Sequence, residues 1–111
     1  MGRASREKGK RGEREFAGLL RQFGIESRRT QQYCGKAGTS DVSSSLEGVH
    51  IEVKRYARIA AMRFMDQAKA DCKPDHLPLV AMREDGGQWA IMFRAEDLHK
   101  IATRIVDAVE M

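Results

Sequence analysis

The sequence predicts an α/β sandwich, with a mixed central sheet of about five strands flanked by helices in the order α-β-β-β-α-β-β-α. Three observations lead there. Apolar residues recur at helical spacing in three places, residues 49–56 alternate strictly between apolar and polar or charged, and glycine-bearing turns separate the strand-like runs. At 111 residues the chain carries one modest core, so one domain spanning 1–111 is expected.

Residues 1–9 (MGRASREKG) hold almost nothing apolar and read as a flexible basic arm. Over 10–23 the pattern turns helical: Phe16, Leu19, Leu20 and Phe23 fall at i, i+3, i+4 and i+7, and Gly24 provides the stop. Glu13 lies one turn before Phe16, on the core-facing stripe near the helix start. An acid there complements the helix dipole, and it is equally placed to serve a site. A strand bearing Arg28 and Arg29 follows, then a loop over 30–39. In that loop Gly35 and Gly38 let backbone approach a ligand, Lys36 offers a phosphate partner, Gln31 and Gln32 offer hydrogen bonds, and Tyr33 a stacking ring.

The next stretch organises the chain. Asp41 opens a short run ending at Leu46, and Glu47-Gly48 turns it into 49–56. A two-residue loop pairs Leu46 with Val49, which sets Asp41 opposite Lys54 and Ser43 opposite Glu52. His50, Glu52 and Lys54 then share a working face, while Val49, Ile51 and Val53 pack on the core. A register slipped by one residue would scatter Asp41, Glu52 and Lys54. Two carboxylates at close range resist joint ionisation unless a cation offsets them. Mg²⁺ suits such oxygens, since it accepts one or two carboxylates and completes its shell with water and substrate phosphate. A lysine beside it can hold the attacking water or steady the charge on phosphate, so the set suits phosphodiester hydrolysis.

A second helix is expected over 59–72, with Ala61, Phe64, Met65, Ala68 and Cys72 on one side and Lys73-Pro74 at its end. Strands over 77–83 and 88–94 flank the turn Asp85-Gly86-Gly87, with Trp89 and Phe93 as packing residues. A third helix runs from about Ala95, with Leu98, Ile101, Ala102, Ile105, Val106 and Val109 on its apolar face. His50, His76 and His99 show no ligand spacing, and His50 reads as an exposed strand histidine within reach of a DNA contact. Cys34 and Cys72 form no CxxC or Cys/His pattern and read as free thiols.

Charge is unevenly spread. The chain is +4, with ten Lys/Arg against four Asp/Glu in residues 1–40 and an acidic remainder. Such an excess on one segment fits a polyanion contact or a solvated basic end. No apolar run reaches a membrane span and no signal peptide precedes the first helix, so a cytoplasmic protein is expected.

The Asp41 to Glu52-Val53-Lys54 pattern, set between hydrophobic strand residues, resembles the PD-(D/E)XK nuclease signature, with Ser40 where that signature usually has proline. Gly9 to Phe16 (GKRGEREF), the amphipathic helix, Phe23-Gly24-Ile25, an arginine-bearing strand and a glycine-containing loop are similar to the archaeal-type Holliday junction resolvases. The likeness covers roughly half the chain, and the loop over 30–39 is longer than that family's serine-glycine loop. It implies a restriction-endonuclease-like fold and a Mg²⁺-dependent (or Mn²⁺-dependent) structure-selective DNA endonuclease acting on branched DNA as a homodimer. By it, Asp41, Glu52 and the Val53 backbone carbonyl hold metal, Lys54 handles the water, and Glu13 completes the acidic site. Arg14 and Arg29 match phosphate-contacting arginines, and Lys36 and Arg55 add positive charge for DNA. A flap- or single-strand-directed nuclease would share these residues. A non-catalytic nucleic-acid-binding module would explain the basic segment but not the acidic pair, and a sequence-reading nuclease would need base-reading elements for which the chain has little room.

Overall fold

Helix α1 (Arg3–Gln22) opens the chain in the computed structural model, which describes residues 3–30 and 39–109. The segment expected as an arm is thus helical from Arg3. It contains the helix formers Ala4, Arg6, Glu7 and Lys8, and Lys8 Nζ bridges both carboxylate oxygens of Asp85 at 2.7 and 2.8 Å. The helix closes as glycine-ended helices do: Ile25 N–H donates to the Leu20 carbonyl (3.0 Å), Gly24 N–H donates to that of Arg21 (3.1 Å), and Gly24 stands at φ +84°.

Three strands follow, β1 (Ser27–Arg29), β2 (Val42–Ser44) and β3 (Val49–Tyr56), then α2 (Ala61–Asp71), β4 (Leu77–Glu84), β5 (Ala90–Phe93), a 3-10 turn (Ala95–Asp97) and α3 (Leu98–Val109). The element order is the expected one. The five strands lie in sequence order, β1-β2-β3-β4-β5, and are antiparallel except for β3 and β4. A parallel step needs a crossover, and α2 provides it.

Alternation along β3 and β4 divides the core in two. Val49, Ile51 and Val53 join Leu77, Leu79 and Ala81 under Phe16, Ala17 and Leu20 of α1, with Ile101 and Ala108 of α3 in the same cluster. On the opposite face Val80 packs with Phe64, Met65 and Ala68 of α2. The second face of β3 is therefore covered rather than open: His50 and Glu52 are 2% and 5% exposed. Trp89 packs on Phe16, ring centroids 5.3 Å apart.

Two further sequence expectations are corrected. Val42 lies opposite Ile51, a register two residues from the expected one, which brings Asp41 level with Glu52 instead of Lys54. The cause is Leu46, which is buried in the core and cannot end the ladder; β2 stops at Ser44, and Val49 N–H closes a turn on the Leu46 carbonyl (3.2 Å) with Gly48 at φ +72°. Because the shift is two residues, every side chain keeps its expected face. The second correction concerns α3, where Ile101 and Ala108 are buried but Leu98, Ile105, Val106 and Val109 are exposed.

Gly12 packs directly on the Arg55 side chain of β3. A Cβ there would sit 2.7 Å from Arg55 Cγ, whereas one on Gly9 would meet nothing within 4 Å. Alanine in a helix interior gains about 1 kcal/mol over glycine. Urea unfolding should show that gain for Gly9→Ala and not for Gly12→Ala; equal stabilisation of both variants would refute the close packing of Gly12.

Candidate active site

Asp41 is fixed from both sides by its backbone, its N–H donating to the Ile51 carbonyl at 2.8 Å and its carbonyl accepting from Thr30 N–H at 3.0 Å. Its side chain then reaches β3, where Oδ2 accepts the Val53 N–H at 2.9 Å. In an extended strand the N–H and carbonyl of one residue point toward the same neighbour, so the Val53 carbonyl faces the Asp41 side as well.

Glu52 lies level with Asp41 on the sheet. Its Oε1 is 3.1 Å from His50 Nε2 and its Oε2 is 3.8 Å from Lys54 Nζ. In its Nε2–H tautomer His50 donates this bond and the carboxylate oxygen accepts it. His50 is therefore not the exposed strand residue expected: it is buried against the site's acid. The i, i+2 spacing on one strand face was the available signal, and it becomes decisive only once α2 is known to cover that face.

Lys54 is held from α2. Its Nζ donates to Gln67 Oε1 at 2.7 Å and lies 5.6 Å from the centroid of the Phe64 ring, which stacks on Tyr56. Gln67 thus steers a cation whose long stem would otherwise roam.

Glu13 projects from α1 to Arg29, whose Nε donates to Oε1 at 2.8 Å. Burial pushes the Glu13 carboxyl above its ordinary value; Arg29 pulls it down, and the negative charge of Glu52 pushes it up.

The residues expected to meet DNA are placed differently from one another. Arg14 is exposed on α1. Arg29 has Glu13 as its partner. Arg55 is drawn inward: its side chain is 14% exposed and bonds Glu15 at 3.3 Å and Asp85 at 3.5 Å, while Arg83 Nη1 reaches Glu15 at 2.6 Å. The two acids drawn together by α1 and the β4–β5 turn account for this, and they make Arg55 a strut between α1 and the sheet. Lys36 lies outside the described residues, as do Gln31, Gln32, Tyr33, Cys34, Gly35 and Gly38.

Among the described residues no three His, Cys, Asp or Glu side chains converge as a metal-ligand set. The donor chemistry of Asp41, Glu52 and the Val53 carbonyl nevertheless fits Mg²⁺, which takes few protein oxygens and keeps several waters. No helix among the described residues is long and apolar enough to cross a membrane.

No protein-family model matches the sequence, and no curated protein matches it. Among solved structures the chain is similar to Hjc, a Holliday junction resolvase from the archaeal hyperthermophile Archaeoglobus fulgidus, with TM-score 0.58 and 17% identity over 77% of this chain and 76% of that one. At that identity the likeness is one of fold. The chain has the restriction-endonuclease-like α/β fold of that resolvase, the fold expected from the PD-(D/E)XK resemblance.

The raised Glu13 pKa has a pH signature. The folded state holds the Glu13 proton more tightly than the unfolded chain, so ionising it costs stability as pH rises above the ordinary value of 4.5. Glu13→Gln removes that cost while its amide oxygen can still accept from Arg29. Denaturant unfolding should show the variant gaining on wild type as pH rises above the ordinary value of 4.5; a stability difference independent of pH would contradict the burial of this charge.

Proposed function

We propose that the chain is a Mg²⁺-dependent, structure-selective DNA endonuclease of the Holliday junction resolvase type. The observation that carries the reading is the pairing of Asp41 with β3: its carboxylate accepts from Val53 N–H, level with Glu52 and two residues from Lys54, on a sheet with the fold of a junction resolvase. Asp41, Glu52 and the Val53 carbonyl would hold the ion. When bound there, Mg²⁺ supplies a Lewis acid for the scissile phosphate and a lowered pKa for a bound water. Lys54, braced by Gln67, would orient the attacking water or meet the charge that develops on phosphate. Glu13 assists from α1, with Arg29 balancing its charge until phosphate competes for the guanidinium. Arg14 and Lys36 serve the DNA backbone, whereas Arg55 contributes by holding α1 in place.

The substrate reading comes with an assembly. A four-way junction is two-fold symmetric, and a chain with one site resolves it cleanly as a two-fold dimer. Met65 is buried, Trp89 packs on Phe16 and Met92 on the α2 cluster, whereas Met62 is exposed. The outer side of α3 supports the interface better, with Leu98 61%, Val106 51% and Val109 46% exposed. A stable interface would bury on the order of 1,200 Å². Sedimentation should show a dimer that Val106→Glu dissociates.

The chemistry is tested with Asp41→Asn, which keeps an acceptor for Val53 N–H and removes the charge, and with Glu52→Gln. Cleavage of a junction in Mg²⁺ should fall by at least about 10²-fold in both, with DNA affinity unchanged or raised as repulsion from phosphate is lost. Assayed against junction, flap, single-stranded and duplex DNAs, the wild type should prefer the junction. Asp41→Asn protein cutting at the parental rate would overturn the active-site assignment; equal rates on flaps or single strands would keep the chemistry and remove the resolvase reading.

A further inference from the structure

The strand that carries Glu52 also carries its own means of orienting it. His50 and Glu52 stand two residues apart on one face of β3, which is paired to β4 along its whole length and to β2 beside the site. Their spacing is therefore set by the sheet. Both side chains are nearly sealed from water, at 1% and 6% exposure, and the Nε2 to Oε1 distance is 3.1 Å. A buried carboxylate needs donors on its oxygens. Here the oxygens are divided: Oε1 is taken by His50, and Oε2 faces Lys54 at 3.8 Å, too long for a committed hydrogen bond. Lys54 is itself committed to Gln67 at 2.7 Å.

We infer that His50 is a positioning residue for Glu52, whose hydrogen bond fixes the carboxylate so that Oε2 is the oxygen offered to a divalent cation. The inference rests on the placement of Glu52 in the active site. It differs from a ligand role, because Nε2 is a donor toward Oε1 and has no lone pair to give while that bond stands. Without the donor, Glu52 keeps its place on the strand but loses the constraint on its side-chain torsions, and Oε1 is left buried without its hydrogen bond. Outer partners of this kind are worth about 10- to 100-fold in metal affinity.

The test is calorimetric titration of the whole protein with Mn²⁺ in the absence of DNA, comparing wild type, His50→Leu, which fills the volume without a donor, and His50→Gln, whose side-chain amide can donate to Oε1. Near-UV circular dichroism checks that each variant is folded. His50→Leu should bind Mn²⁺ about 10- to 100-fold more weakly, and His50→Gln should recover most of the loss. Affinity unchanged in His50→Leu, or a Gln variant no better than Leu, overturns the inference. Should His50→Leu not fold, His50→Gln decides alone: near-parental Mn²⁺ affinity supports the donor role and a large loss refutes it. Glu52→Gln separates the two levels of the argument. If it binds Mn²⁺ as tightly as wild type, or if wild type binds none, the active-site reading itself fails; if Glu52→Gln loses binding and His50→Leu does not, only the role of His50 fails.

Discussion

The site depends on how a very short strand is held. β2 has three residues, and its pairing with β3 centres on Val42 opposite Ile51. Asp41, one residue outside the strand, extends that pairing twice, by its backbone N–H on Ile51 and by its carboxylate on Val53 N–H. A hydrogen bond to a charged group contributes roughly 1.5–3 kcal/mol, a large share for a strand with so few ladder bonds. The carboxylate proposed to serve the metal is also a structural bond between strands, so chemistry and register are linked at one residue.

The second requirement is that α1 lie across β3 at one fixed angle, since Glu13 comes from the helix and Glu52 from the strand. An ion-pair network joins the two: Lys8 and Arg55 share Asp85, and Arg55 and Arg83 share Glu15. Surface pairs contribute little singly, but this set is partly buried and ties three elements, with Gly12 admitting the Arg55 stem beneath the helix. Burying the Glu13 carboxyl carries a cost, which appears in its raised proton affinity, with the negative charge of Glu52 as a smaller contribution. A bound cation would relieve it.

Local patterns made much of this legible. The alternation of 49–56 told which residues share a face, and that survived a register error because an even shift preserves faces. The order of elements followed from periodicity and turn residues. What sequence could not supply was the identity of the covering layer. His50 reads as exposed until the fold buries it, Arg55 reads as an open surface charge until Glu15 and Asp85 arrive from distant elements, and Leu46 reads as a ladder residue until the core claims it. Helix α3 errs the other way: its apolar stripe is real, but the core takes up Ile101 and Ala108 while Leu98, Ile105, Val106 and Val109 stay exposed. The start of α1 was missed because hydrophobic periodicity is silent in a basic segment whose helix is supported by propensity and a distant ion pair.

The most direct measurement of the central claim is a crystal structure of the protein grown with Mn²⁺, with anomalous scattering used to locate the ion. A single strong peak is expected, held by the Asp41 and Glu52 carboxylates and the Val53 carbonyl. A peak elsewhere on the molecule, or none at a concentration that supports cleavage, would contradict it.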